Sequence, residues 1–173
     1  MRHMVLRYFK LWIAFFKNSL SRDMEFKTNF LGDLFIDGIF YGSMYFFWSV
    51  IFSYVDVLGD FNQQAVIIFL IVMYLTDTVF IFFFGSNTFT LNTMVIKGDL
   101  DLVLIKPVNP QFFMSFRYVL SYSVVSFIIL TSLLLKLTID FHGSFIVVNY
   151  IIFSISFLFG IIIFYCVEFM ISC

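Results

Sequence analysis

The sequence predicts an all-α integral membrane protein: an N-terminal amphipathic helix in the membrane interface, then about four transmembrane helices, with the N-terminus cytoplasmic. Three observations carry this. Of the 173 residues 62% are hydrophobic and 12% charged, with mean hydropathy +1.02; a soluble domain carries about 25% charged residues, so this chain lacks the polar surface to stay in water. The apolar residues also gather into four runs, each long enough for the ~20 residues a bilayer-crossing helix needs. Finally, the cations are one-sided. Arg2, Arg7, Lys10, Lys17, Arg22 and Lys27 precede the first run, Lys97, Lys106 and Arg117 belong to a central loop or its margin, and only Lys136 falls on the other side. Cytoplasmic flanks of membrane helices carry the excess of Lys and Arg, which sets the orientation. The net charge of -1 adds little, because distribution matters and the total does not. The 28 phenylalanines suit lipid-facing helices and would equally follow from an A/T-rich genome.

Residues 1–29 form the cytoplasmic N-terminal part and 30–173 the transmembrane part. From about 4 to 21, Val5, Phe9, Trp12, Ile13, Phe16 and Leu20 recur at three- and four-residue steps, with Arg7, Lys10, Lys17 and Ser21 opposite. A basic face opposite an aromatic one describes a helix lying in the interface with its cations at anionic headgroups; spanning would bury three cations in hydrocarbon. A water-facing helix packed on another subunit is the competing reading. A polar segment, Ser21 to Lys27, leads into the first span at about 30–54. Asp56, Gly59, Asp60 and Asn62 make a short turn before the second span at about 65–91. The third covers about 111–135, and Lys136, Asp140, His142 and Gly143 make the next turn before a fourth at about 145–173. That run is still apolar at Cys173, so the sequence looks cut short in or just after the fourth helix.

The loop at 92–110 is the part that reads as machinery. Lys97-Gly-Asp-Leu-Asp-Leu-Val-Leu-Ile-Lys-Pro-Val-Asn-Pro110 carries charges, a glycine and both prolines between two long apolar runs. Pro107 and Pro110 fix backbone dihedrals and remove amide donors, which stiffens the segment. Leu100, Val103 and Leu104 are spaced to present apolar contacts from a short helical turn, Asp99 or Asp101 suits its cap, and Gly98 lets the chain leave the preceding helix. Asn109 and Pro110 suit the cap and first turn of the next helix. An ordinary loop that merely reverses direction is the plainer alternative.

Gly98-Asp99-Leu100-Asp101, a run of aliphatics, then Lys106-Pro107-Val108-Asn109-Pro110 resembles the loop of a family of bacterial type-2 ABC transporter permeases. Arg7-Tyr8-Phe9-Lys10-Leu11, Phe16-Lys17-Asn18-Ser19-Leu20 and Phe30-Leu31 fit the same pattern. The resemblance covers essentially the whole chain, although only the loop is specific enough to name a family. It implies a permease in the bacterial cytoplasmic membrane that pairs with a second permease, identical or related, and with two copies of a cytoplasmic ATPase. It also implies about six spans, two more than this sequence contains.

No Gly-x-x-x-x-Gly-Lys-Ser/Thr phosphate loop is present. ATP and Mg are therefore expected on the partner ATPase, with no cofactor or metal in this chain, no catalytic residue and no nucleic-acid partner. Ionisable residues inside spans are functional candidates by default. Asp33 and Asp37, four apart, share a face of the first span, where a helix N-terminus also favours acids and where Arg22, Lys27 or Arg117 would pair with them. Asp77, between Thr76 and Thr78, lies deeper and is the better candidate for a polar path or subunit contact; hydrogen bonding to those hydroxyls is the alternative. Glu168 falls at the inner interface. Cys166 and Cys173, seven apart, are too far separated on one helix for a disulfide and read as buried, inert thiols. Two further functions stay open: a non-transporting anchor or assembly protein recruiting another cytoplasmic partner, and a small carrier or scramblase that needs no ATP.

Overall fold

A computed structural model describes residues 2–140 and 147–172. His142, Gly143, the start of the fourth predicted span and Cys173 lie outside them. Among the described residues, eight α-helices and one small hairpin follow in order: α1 (Arg2–Glu25), α2 (Lys27–Phe52), β1 (Val57–Leu58), β2 (Phe61–Asn62), α3 (Gln63–Phe80), α4 (Ser86–Lys97), α5 (Asp101–Leu104), α6 (Pro110–Phe116), α7 (Tyr122–Asp140) and α8 (Val147–Ser172). A π-helical turn, Ile81–Gly85, joins α3 to α4 without a break. Among the described residues four helices are long and apolar enough to cross a membrane: Lys27–Phe52, Gln63–Lys97, Tyr122–Ile139 and Val148–Ser172. The chain is an all-α membrane protein.

The packing is that of a protein solvated by lipid. Fully buried positions include Asn87, Thr78 and Ser123, while Phe35, Phe46, Phe159 and Ile163 face outward. Lipid tails are as apolar as leucine, so helices associate through small and polar contacts and the large apolar side chains need not turn inward. Two apolar clusters hold the bundle. One joins Ile71 and Leu75 of α3 to Leu130 of α7. The other, towards the loop, joins Leu91 of α4, Val103 of α5, and Phe113 and Met114 of α6.

The segment between the first two spans is a hairpin. Leu58 pairs with Phe61, Gly59 takes φ 64° at the turn, and Asn62 caps α3 by accepting from the Ala65 amide at 2.9 Å. The helix from Gln63 to Lys97 runs on past the apolar stretch expected at 65–91. Its 35 residues reach about 50 Å at 1.5 Å per residue, well beyond the ~30 Å hydrocarbon core. Its last turns carry the polar residues Thr90, Asn92, Thr93 and Lys97.

The largest difference from the sequence reading lies in the third apolar run. Residues 111–135 are carried by two helices, α6 and α7, with 117–121 unwound between them. No proline or glycine marks that break. The N-terminal helix is also longer than expected, running to Glu25 and meeting α2 at a bend on Phe26 (φ −104°, ψ 59°).

Candidate functional site

Helix α4 ends as its sequence requires. Gly98 is left-handed (φ 74°) and the Asp99 amide donates back to Met94 O at 3.0 Å. Helix α5 follows at once. Neither Asp99 nor Asp101 caps it through a side chain; Leu100 stands at the cap position and Asp101 in the first turn. Val103, 2% exposed, roots α5 in the loop-side cluster, and Leu100 packs on the same cluster. Of the expected apolar contacts, Leu100 and Val103 thus face inward. Leu104 faces outward with two residues the sequence reading passed over, Leu102 and Ile105 (79% exposed). Lys106 lies over the Phe113 ring at 4.2 Å, and Asn109 caps α6 by accepting from the Phe112 amide at 3.1 Å, with Pro110 in the first turn.

Helix α1 is tied to this loop. Arg7 donates to the Pro107 carbonyl at 3.1 Å, and the Asn109 amide donates to the Tyr8 hydroxyl at 3.2 Å, contacts spanning about a hundred residues of sequence. Tyr8 meets Phe112 edge-on at 4.8 Å, and Phe15 meets Phe113 at 5.7 Å. Trp12 and Phe16, expected on the lipid-facing side, lie against Phe83 and Phe82 of the π-helical turn. Lys10 and Lys17 stay exposed. The aromatic face is therefore used partly on the chain's own bundle.

The unwound stretch 117–121 is the other built feature. Non-helical backbone inside an apolar bundle must find partners there, and side chains from α1 and α4 supply them. Asn87, 2% exposed, accepts from the Tyr118 amide at 2.8 Å and donates to the Tyr118 carbonyl at 2.6 Å. Ser19 accepts from the Val119 amide at 3.1 Å, and Asp23 accepts from both the amide and the hydroxyl of Ser121. Arg117 stacks on Phe113 and Tyr118, and Arg22 holds Asp23 at 3.3 Å. The π-helical turn opposite, a form that recurs at functional sites, lies one residue before α4's Ser86-Asn87.

The intramembrane acids are arranged differently from the pairing expected. Asp37 accepts from Ser126 of α7 at 3.1 Å, and Asp33 is exposed. Among the described residues neither forms an ion pair; Arg22–Asp23 is the one such pair there. Asp77 makes no hydrogen bond to its neighbours: Thr76 donates to the Val72 carbonyl, and Thr78 shares a hydrogen bond with Tyr41 at 3.2 Å. Cys166 is exposed on α8 rather than buried.

These features define a polytopic helical membrane protein with a helix-bearing loop between its second and third apolar runs. The chain belongs to the ABC-2 transporter family: the model described as "ABC-2 family transporter protein" matches residues 39–173, well over half of the sequence. It is thereby a permease component of the ABC transporter class. No curated protein and no solved structure matches the chain significantly.

Proposed function

We propose that this chain is the membrane-spanning subunit of an ATP-driven transporter of the bacterial cytoplasmic membrane, powered by a separate ATPase that docks on residues 97–110. The observation that carries the reading is α5. It is anchored from behind by Val103 and offers Leu102, Leu104 and Ile105 outward, flanked by Asp99 and Asp101. A charged, exposed loop gains nothing from such an apolar knob unless a groove receives it. Pro107, Pro110 and the Arg7 and Tyr8 contacts stiffen the base of the knob, so a push on α5 moves α4, α6 and α1 together. The neighbouring joint, formed by 117–121 and the π-helical turn, separates this block from the α3–α7 cluster. Motion at the joint would repack the spans against a second permease and carry cargo across.

The reading is tested by purifying the tagged full chain from its native membrane in mild detergent and identifying what comes with it by mass spectrometry. A stoichiometric protein bearing a phosphate-binding loop is expected. A chain recovered with no such protein, or with a cytoplasmic partner that lacks one, counts against it.

A further inference from the structure

Between α2, α3 and α7 the helices leave a cleft of about 360 Å³, within the ~300–1,000 Å³ range of small-molecule sites. Its α2 wall is one stripe, Leu34, Asp37, Gly38, Tyr41, Gly42 and Tyr45, about 16 Å long at 1.5 Å per residue. Gly38 and Gly42 have the spacing that lets membrane helices touch, yet a Cβ on either would meet no atom within 4 Å. Tyr41 in the same row reaches inward to share a hydrogen bond with Thr78 of α3, while Gly38, Gly42 and Tyr45 are exposed. The space is therefore a groove floored by α3 and open along its α2 edge.

The groove is apolar along its length and negative at one end. Asp37 is the one ionisable carboxyl group in its lining, no lysine or arginine lines it, and one carboxylate oxygen accepts from Ser126. One turn further along α2, the rings of Tyr41 and Tyr74 lie 4.6 Å apart; aromatic faces attract cations. Asp33 stands one turn before Asp37, and Asp77 one turn beyond Tyr74, so an anionic guest would be repelled. A neutral one would leave the carboxylate without a counter-charge in a poorly polar site.

We propose that this cleft binds an amphipathic organic cation, its ammonium head at Asp37 beside the Tyr41–Tyr74 pair and its apolar tail along Gly38 and Gly42 towards Tyr45. As the cargo class of the permease this rests on the transport reading; the binding itself does not, and it is tested without an ATPase.

The full chain in phosphatidylcholine nanodiscs is titrated calorimetrically with decyltrimethylammonium, decyl sulfate and decanol, with empty nanodiscs as the blank. Saturable binding is expected for the ammonium alone. Asp37→Asn should weaken it about tenfold or more. Gly42→Leu, which fills the tail end and leaves the carboxylate in place, should abolish it. If Asp37→Asn fails to fold, the three headgroups on the unaltered chain and Gly42→Leu still decide. Equal binding of all three amphiphiles, or unchanged binding to Asp37→Asn, would mean an apolar void filled by lipid and overturns the proposal. So does no saturable binding, or a second copy of the chain cross-linked through Gly42→Cys. Absent binding alongside a co-purifying ATPase sinks the cation site and leaves the permease; binding with no ATPase does the reverse.

Discussion

Asn87 holds an unwound segment by both ends of its amide, and few single side chains in the chain have more to lose. Asn87→Leu keeps the volume close to constant but leaves the Tyr118 amide and carbonyl unpaired in an apolar setting, which costs about 1–3 kcal/mol per buried group. The expected outcome is a clear fall in the thermal unfolding midpoint in detergent. Ser19→Ala removes one acceptor, for Val119, and should cost about 1 kcal/mol; an unchanged midpoint in both variants would mean the segment is held some other way. None of Asn87, Ser19 or Asp23 stood out in the sequence. Each is an ordinary polar residue, and each bonds to backbone atoms from 31 to 100 positions away, a relation no local pattern carries. Asp33, Asp37 and Asp77 did stand out, because a carboxylate in an apolar run is visible at once. Their partners were not: Asp37 accepts from Ser126 in place of a cation, and it lines the cleft between α2, α3 and α7.

Among the elements, the loop was the most legible. Gly98 at a left-handed helix end and Asn109-Pro110 at a helix start are local chemistry, and both are seen. The side of α5 that faces outward was harder to read, because Leu100, Leu102, Val103, Leu104 and Ile105 are alike in sequence and only the packing of Val103 sorts them. The division of the third run into α6 and α7 was hidden for a related reason. Its residues stay apolar across Tyr118-Val119-Leu120, and the interruption depends on acceptors brought by other helices. The tie between α1 and the loop makes its own prediction. Tyr8→Phe removes the acceptor for the Asn109 amide, a hydrogen bond worth about 0.5–1.5 kcal/mol, so that amide should exchange with solvent several-fold faster. Exchange at the original rate would mean α1 rests on the loop without steadying it. Pro107→Ala with Pro110→Ala should leave insertion intact while uncoupling ATP hydrolysis in the assembled complex from movement of the spans, followed by distance labels on α2 and α7. Spans that still respond fully to nucleotide would show that stiffness here is dispensable.

For the molecule as a whole, four apolar helices were readable because hydrophobic length is the strongest signal a membrane chain gives. The polar interior behind them was not, since serine and threonine look alike whether they face a neighbour helix or a headgroup. The excess of Lys and Arg before α2 and around the loop carries the proposal that both lie on one side, with the Val57–Asn62 hairpin on the other. In intact cells lacking Cys166 and Cys173, a membrane-impermeant thiol reagent should therefore label Asp60→Cys and spare Asp99→Cys; the reverse pattern would invert the topology.

The central claim is that an ATPase grips the chain by the outer face of α5. The direct measurement is the amount of ATPase that co-purifies with Leu102→Asp plus Ile105→Asp, quantified against the unaltered chain. Both side chains are exposed, so the double variant should melt at the same temperature and lose most of the bound ATPase, with Kd raised about tenfold or more, which is roughly 1.4 kcal/mol or more in affinity. A double variant that melts normally and keeps its full complement of ATPase would contradict the account and move the docking surface off the loop.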